Sequence, residues 1–139
     1  MAQATDLIGF GEHPLKAEIL SYPPVFATAT GTSIGTAKQI GPRQYFTVCL
    51  AGTSGFVMPQ VGGQDASHGA LLGDEYVVAN LSTAALDIYI ANNAAGSAVT
   101  MYGGAVSTAG TTGVSVAIGY MAILRPFTVS SWIIGVASV

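Results

Sequence analysis

Few side chains in this chain could do chemistry, and their spacing decides what kind. His13 and His68 are the only histidines, Cys49 is the only cysteine, and Lys16, Lys38, Arg43 and Arg125 are the only strong bases in 139 residues. An enzyme needs titratable groups that converge, yet from Tyr76 to Val139 the only charged side chains are Asp87 and Arg125. Asp65, Ser67 and His68 supply the residue types of a hydrolytic triad, but one loop gives them no separate elements to orient base and nucleophile. Asp74 and Glu75 are adjacent at the start of a strand, so they point to opposite faces and cannot act as a carboxylate pair. Solvation is the expectation for both. The two histidines have no ligand spacing. Asp65 and Asp74, flanking a loop, are the nearest approach to the clustered acidic oxygens that calcium requires. No glycine-rich loop carries the lysine and following helix of a phosphate site. Cys49 lies in Thr47-Val48-Cys49-Leu50, a strand where an inert buried thiol is expected. The residues therefore predict no enzyme, no cofactor and no metal.

Composition narrows the remaining classes. Only 8% of the residues are charged, against roughly 25% in an ordinary globular domain. A surface so poor in charge is expected to face other copies or a larger assembly. The net charge of −3 and four scattered cations exclude a phosphate-binding stripe and a basic membrane-binding patch. The opening residues, Met1-Ala2-Gln3-Ala4-Thr5-Asp6, lack the basic and apolar regions of a secretory signal. No apolar run approaches the ~18 residues of a membrane span. Assembly in a cytoplasm is the expectation.

The elements that must position these residues are strands. Leu72 to Leu81 and Ala85 to Ile90 read as two short strands joined by a tight turn, a hairpin on which the fold class rests. Tyr76-Val77-Val78 favours a pleated surface, and Leu86, Ile88 and Ile90 alternate with Asp87 and Tyr89. Further strands are expected at Arg43 to Ala51, Phe56 to Met58, Ala98 to Tyr102, Val114 to Ile118, Tyr120 to Leu124 and Thr128 to Val136. Their spacing of roughly 8–12 residues is that of a sandwich, jelly roll or barrel. The predicted fold is all-β: a jelly-roll-like β-sandwich over residues 36–139 with an extended N-terminal arm over 1–35. In that arm Phe10, Tyr22, Pro23, Pro24 and Phe26 combine aromatic anchors with a proline-fixed extended backbone. They are the candidate contact residues. Tyr102, Tyr120 and Trp132 sit in or beside apolar strands, where core is the expected location. No exact internal repeat is visible.

Gly73-Asp74-Glu75-Tyr76-Val77-Val78-Ala79-Asn80-Leu81, followed by Leu86-Asp87-Ile88-Tyr89, Gly96, the alternating Val114-Ser115-Val116 and the late Trp132-Ile133, resembles the small all-β capsid decoration, or cement, proteins of tailed bacteriophages. The likeness covers roughly Leu72 to Gly135. It departs from the family pattern at Ile90-Ala91-Asn92-Asn93 and at Met101-Tyr102-Gly103-Gly104. The resemblance implies a homotrimer with a jelly-roll-like subunit on the capsid exterior, bridging copies of the major capsid protein. The alternatives are a tail fibre or spike module and a carbohydrate-binding β-sandwich.

Overall fold

The structure, a computed structural model, describes residues 23–52, 54–61, 69–91, 99–103, 107–108 and 113–138. All regular structure among them is β. The strands are β1 (Val25–Thr28), β2 (Lys38–Gln39), β3 (Phe46–Ala51), β4 (Gly55–Met58), β5 (Tyr76–Asn80), β6 (Leu86–Ile90), β7 (Thr100–Tyr102), β8 (Ser107–Thr108), β9 (Val114–Val116), β10 (Tyr120–Thr128) and β11 (Ser131–Ser138). They form a seven-stranded sheet in the order β1-β3-β5-β10-β11-β7-β8 and a four-stranded sheet in the order β2-β4-β6-β9. The all-β, two-sheet architecture expected from strand spacing is what the chain adopts.

The path between the sheets differs from the expected one. Odd-numbered strands β1, β3 and β5 lie in the larger sheet, while β2, β4 and β6 lie in the smaller. Within each sheet these strands pair in parallel, β1 with β3, β3 with β5, β2 with β4 and β4 with β6. Residues 25–90 thus wind as three stacked coils, each contributing one strand to each sheet. The antiparallel Greek-key pairing of a jelly roll is not the pairing found there. The stack is closed by the antiparallel pair β10 and β11, with β10 lying against β5.

The hairpin expected at 72–90 is an arch instead. β5 and β6 do not pair, and five residues carry the chain from one sheet to the other. Asn80 holds that arch. Its amide donates to the carbonyls of Ala84 and Val116, both at 2.9 Å, and its Oδ1 accepts from the Ser82 N–H at 3.1 Å and hydroxyl at 2.6 Å. Asn80 is fully buried, so the side chain closes the polar groups of a bend that strand ladders cannot reach.

A repeat that the letters conceal appears in the turns that start the second and third coils. Gln44 N–H donates to Gly41 O and Asp74 N–H donates to Leu71 O. Gln44 Oε1 and Asp74 Oδ2 then accept from the backbone N–H of Gly41 and Leu71. Tyr45 and Tyr76 follow and stack with centroids 5.4 Å apart, and Tyr76 meets Trp132 at 5.7 Å. This aromatic ladder runs through the core, which also holds Phe56, Met58, Leu86, Ile88, Met101 and Leu124. Cys49 is buried there as expected, its thiol directed to Ala51 O.

Two boundaries move. β10 continues through Pro126, because beyond Leu124 it has lost β5 as a neighbour and no ladder there requires the missing N–H. Val129 and Ser130 then turn the chain, so the expected strand from Thr128 begins later. The arm expected over 1–35 overlaps the domain, since Val25–Thr28 pairs with β3 and Thr30 bridges to Gly55. At Gly103 a glycine is required: φ is +120°, and a Cβ would lie 2.0 Å from the Ile134 carbonyl oxygen.

Candidate interaction surface

The outer faces of the two sheets are treated differently by the chain. Outside the four-stranded sheet, Val57 and Tyr89 pack with Ala37, Ile34 and Ala91 in a second cluster. The Tyr89 hydroxyl donates to Thr32 O at 2.9 Å, pinning the segment that crosses this face. Gly55 leaves room for that ring, since a Cβ would sit 2.6 Å from it.

The outer face of the seven-stranded sheet carries apolar side chains to solvent. Register fixes its rows. Phe26 faces Val48, Val48 faces Ala79, and Ala79 faces Met121, which is opposite Ala137. Beside them run Phe46, Val77, Ile123 and Gly135. A third row holds Arg125, Ile133 and Tyr102, and the Phe127 ring meets Tyr102 at 6.0 Å. Phe26 is 67% exposed, and Ile133 and Phe127 are each 51% exposed. Val48 and Ala79 are buried between taller neighbours, so the face has a floor and ridges. Among the described residues its charge is one acid and one base: Arg125 Nε lies 4.0 Å from Glu75 Oε2, and Arg125 also donates to Gly73 O.

The sequence-predicted contact residues divide. Phe10 and Tyr22 lie outside the described residues. Pro23 is exposed and Pro24 half-buried just before β1. Phe26 belongs to this face rather than to a separate arm. Tyr102 and Tyr120, expected in the core, are exposed at 46% and 41%, while Trp132 is fully buried as expected. Ile123, Phe127 and Ile133 also belong to this face, which the sequence does not single out. The signal lay in Met121-Ala122-Ile123-Leu124 and Trp132-Ile133-Ile134, which are apolar at both alternating parities, the pattern of strands covered on two sides.

The polar groups that remain are structural. Asp74, expected to be solvated, is buried, and its carboxylate accepts from Leu71 N–H and from the Tyr76 hydroxyl. Glu75 points the other way, to Arg125, so the two carboxylates are separated as expected. The Tyr76 hydroxyl donates to Pro42 O at 2.8 Å, and Arg43 donates to the Tyr45 hydroxyl at 3.1 Å. Burial pushes the Tyr76 phenol far above its ordinary range; Asp74 and Tyr45 add to this, and Arg43 opposes it. The folded state therefore keeps a proton that the unfolded chain releases near pH ~10. Its stabilising effect is complete below that pH and is lost as pH rises further. Tyr76→Phe should cost about 1 kcal/mol at neutral pH and should flatten the alkaline decline, as read by urea unfolding at pH 8 and above pH ~10.

Asp65, Ser67 and His68 lie outside the described residues, as does His13. Among the described residues no three His, Cys, Asp or Glu side chains come close enough to hold a metal. Clefts open on the surface formed by the described residues, two of them well defined. One, of about 440 Å³, is lined by Gln39, Gln44, Gln60 and prolines; the other, of about 590 Å³, opens between β9 and β11 and is lined by glycines, Val114, Ser115, Ile134 and Val136. Neither is lined by a titratable side chain or an aromatic platform. No family model, curated protein or solved structure matches the chain.

Proposed function

We propose that the protein is a non-enzymatic structural subunit, a trimeric capsid decoration protein that binds the exterior of a virion lattice and bridges and stabilises major capsid subunits. The observation that carries the structural role is the broad, nearly uncharged outer face of the seven-stranded sheet. A free monomer rarely exposes a contiguous apolar patch beyond a few hundred Å². The virion setting rests on the resemblance over Leu72 to Gly135. In such a setting each copy need bind only weakly, because linked contacts raise the effective concentration of the next. Bridging then opposes the outward pressure of a packaged genome.

Quantitative mass spectrometry of purified virions tests this reading. Near one copy per major capsid subunit is the expected result. A handful of copies per particle favours the fibre or spike module, and absence from particles overturns the virion reading. The carbohydrate-binding alternative requires aromatic platforms beside polar partners. Trp132 is withdrawn into the core, and the exposed Tyr102, tilted against Phe127, and the exposed Tyr120 line neither of the two clefts described above. Retention on an immobilised-glycan array would reinstate it.

A further inference from the structure

We propose that, within the trimer, the outer face of each seven-stranded sheet is covered by residues 1–22 of the neighbouring copy, laid across the strands. The inference rests on the reading of this protein as a trimeric subunit but not on the capsid. A ring of three closes through heterologous contacts, in which the surface a copy presents to one neighbour differs from the surface it presents to the other. The exposed Phe46, Ile123 and Ile133 then meet a different part of the chain. Residues 1–22 carry apolar side chains suited to them: Leu7, Ile8, Phe10, Leu15, Ile19 and Leu20. The fold already uses this device once. The outer face of the smaller sheet is covered by a crossing segment of chain rather than by another sheet. There Ile34 and Ala37 pack with Val57 and Tyr89, and the Tyr89 hydroxyl donates to Thr32 O.

Position and reach select the neighbour's face over the copy's own. Residues 1–22 join the domain at Pro23, directly before β1, and β1 is the edge strand of the larger sheet. The segment is therefore rooted at one margin of the face. Pro23 and Pro24 fix their own φ, and the residue before each is biased to extended backbone. The chain thus runs in line with β1 for about 9 Å, at ~3.1 Å per residue, before it can turn. That direction leads past the end of its own sheet and toward a copy beside it. The 22 residues reach roughly 70 Å at ~3.3 Å each, against ~29 Å for the width of six strands at ~4.8 Å. The segment can span the gap between copies and still cross the whole face.

Photo-crosslinking of the full chain is the experiment. Chains with benzoylphenylalanine in place of Ile123, at the centre of the face, are mixed at micromolar concentration with wild-type chains labelled with heavy nitrogen. Sedimentation velocity should give a trimer mass, and the crosslinked peptides should join the probe of one chain to residues 1–22 of a labelled one. Substitutions should agree. Phe10→Glu in the segment and Ile123→Glu on the face should each weaken association by about thirtyfold. Ala85→Glu, an exposed position beside the other sheet, should leave it unchanged. Circular dichroism checks that each variant is folded, and an unfolded Ile123→Glu leaves Phe10→Glu to decide. Overturning results are a wild type that stays monomeric, crosslinks to residues 1–22 of the probe's own chain alone, crosslinks to the sheet face of another copy, a trimer without crosslinks, or a Phe10→Glu variant that associates as wild type does. The virion reading fails separately. A trimer crosslinked in this way but absent from particles removes that function and leaves this contact. A protein at one copy per capsid subunit whose face crosslinks to the major capsid protein keeps the function and overturns the contact.

Discussion

Asn80→Leu should lower the unfolding free energy by about 3 kcal/mol, with the transition midpoint shifted and the denaturant slope unchanged. The expectation follows from which groups lose their partners. Ala84 O keeps a donor, because the single Ser82 hydroxyl proton, shared with Asn80 Oδ1 at 2.6 Å in the wild type, can turn wholly to Ala84 O at 2.9 Å. Val116 O and the Ser82 N–H lose the amide altogether. Each buried group left unpaired costs about 1–3 kcal/mol, and the leucine repays little because the bend around it is polar. Asn80→Asp should be worse at neutral pH and should carry a pH signature. An ionised carboxylate would face two carbonyl oxygens in a buried site, so its folded-state pKa must lie above the unfolded ~3.9. The native variant then holds a proton that the unfolded chain has released, and its stability falls as pH rises from ~3 toward 7. Urea titrations of both variants at acidic and neutral pH check this. A loss for Asn80→Leu no larger than that of an exposed serine substitution would show that the arch does not depend on the amide.

Trp132→Ala should cost about 4 kcal/mol, the largest loss expected from any single truncation in this core. Trp132 is fully buried, packs on Tyr76 and lies opposite Met101 and Pro126 on the two neighbouring strands. It joins the closing strands to the coiled half of the larger sheet, so the cavity left behind falls between two parts of the domain. Trp132→Phe should cost far less, about 1–2 kcal/mol. Its ring preserves most of the packing, and the indole Nε1, buried with no hydrogen-bond partner among the described residues, carries a desolvation cost that phenylalanine removes. Calorimetric unfolding of the two variants checks the ordering. Equal losses would show that the indole is not the packing link described above.

What could be read from the sequence and what could not have a common physical cause. Alternation fixes which residues share a face, so Leu86, Ile88 and Ile90 declared a strand at once. Alternation is silent on where that strand goes. A run of five residues between Asn80 and Leu86 serves a hairpin or an arch equally well, and the difference lies in one buried amide. The repeated turn escaped notice because Gln44 and Asp74 perform one task with different letters. The exposed apolar face is hidden in the letters because β10 and β11 are apolar on both sides, and alternation alone does not say which side is covered. Of the proposed contact residues that the structure describes, Phe26 lies on that face, and its position there depends on a parallel pairing with β3 that no local pattern announces.

The winding of residues 25–90 also sets a timetable. Each parallel strand waits for a partner a full coil away, and such long-range closures are slow to form. Among the described strands of the larger sheet, sequence neighbours pair only at β7 with β8 and at β10 with β11, and β10 and β11 are the last of the described strands to leave the ribosome. The emerging coils must therefore persist with an open sheet edge until β10 docks beside β5. Biogenesis, rather than the finished fold, is where this chain is most exposed to wrong pairing with another copy of itself, and a chaperone that shields strand edges would act in that interval.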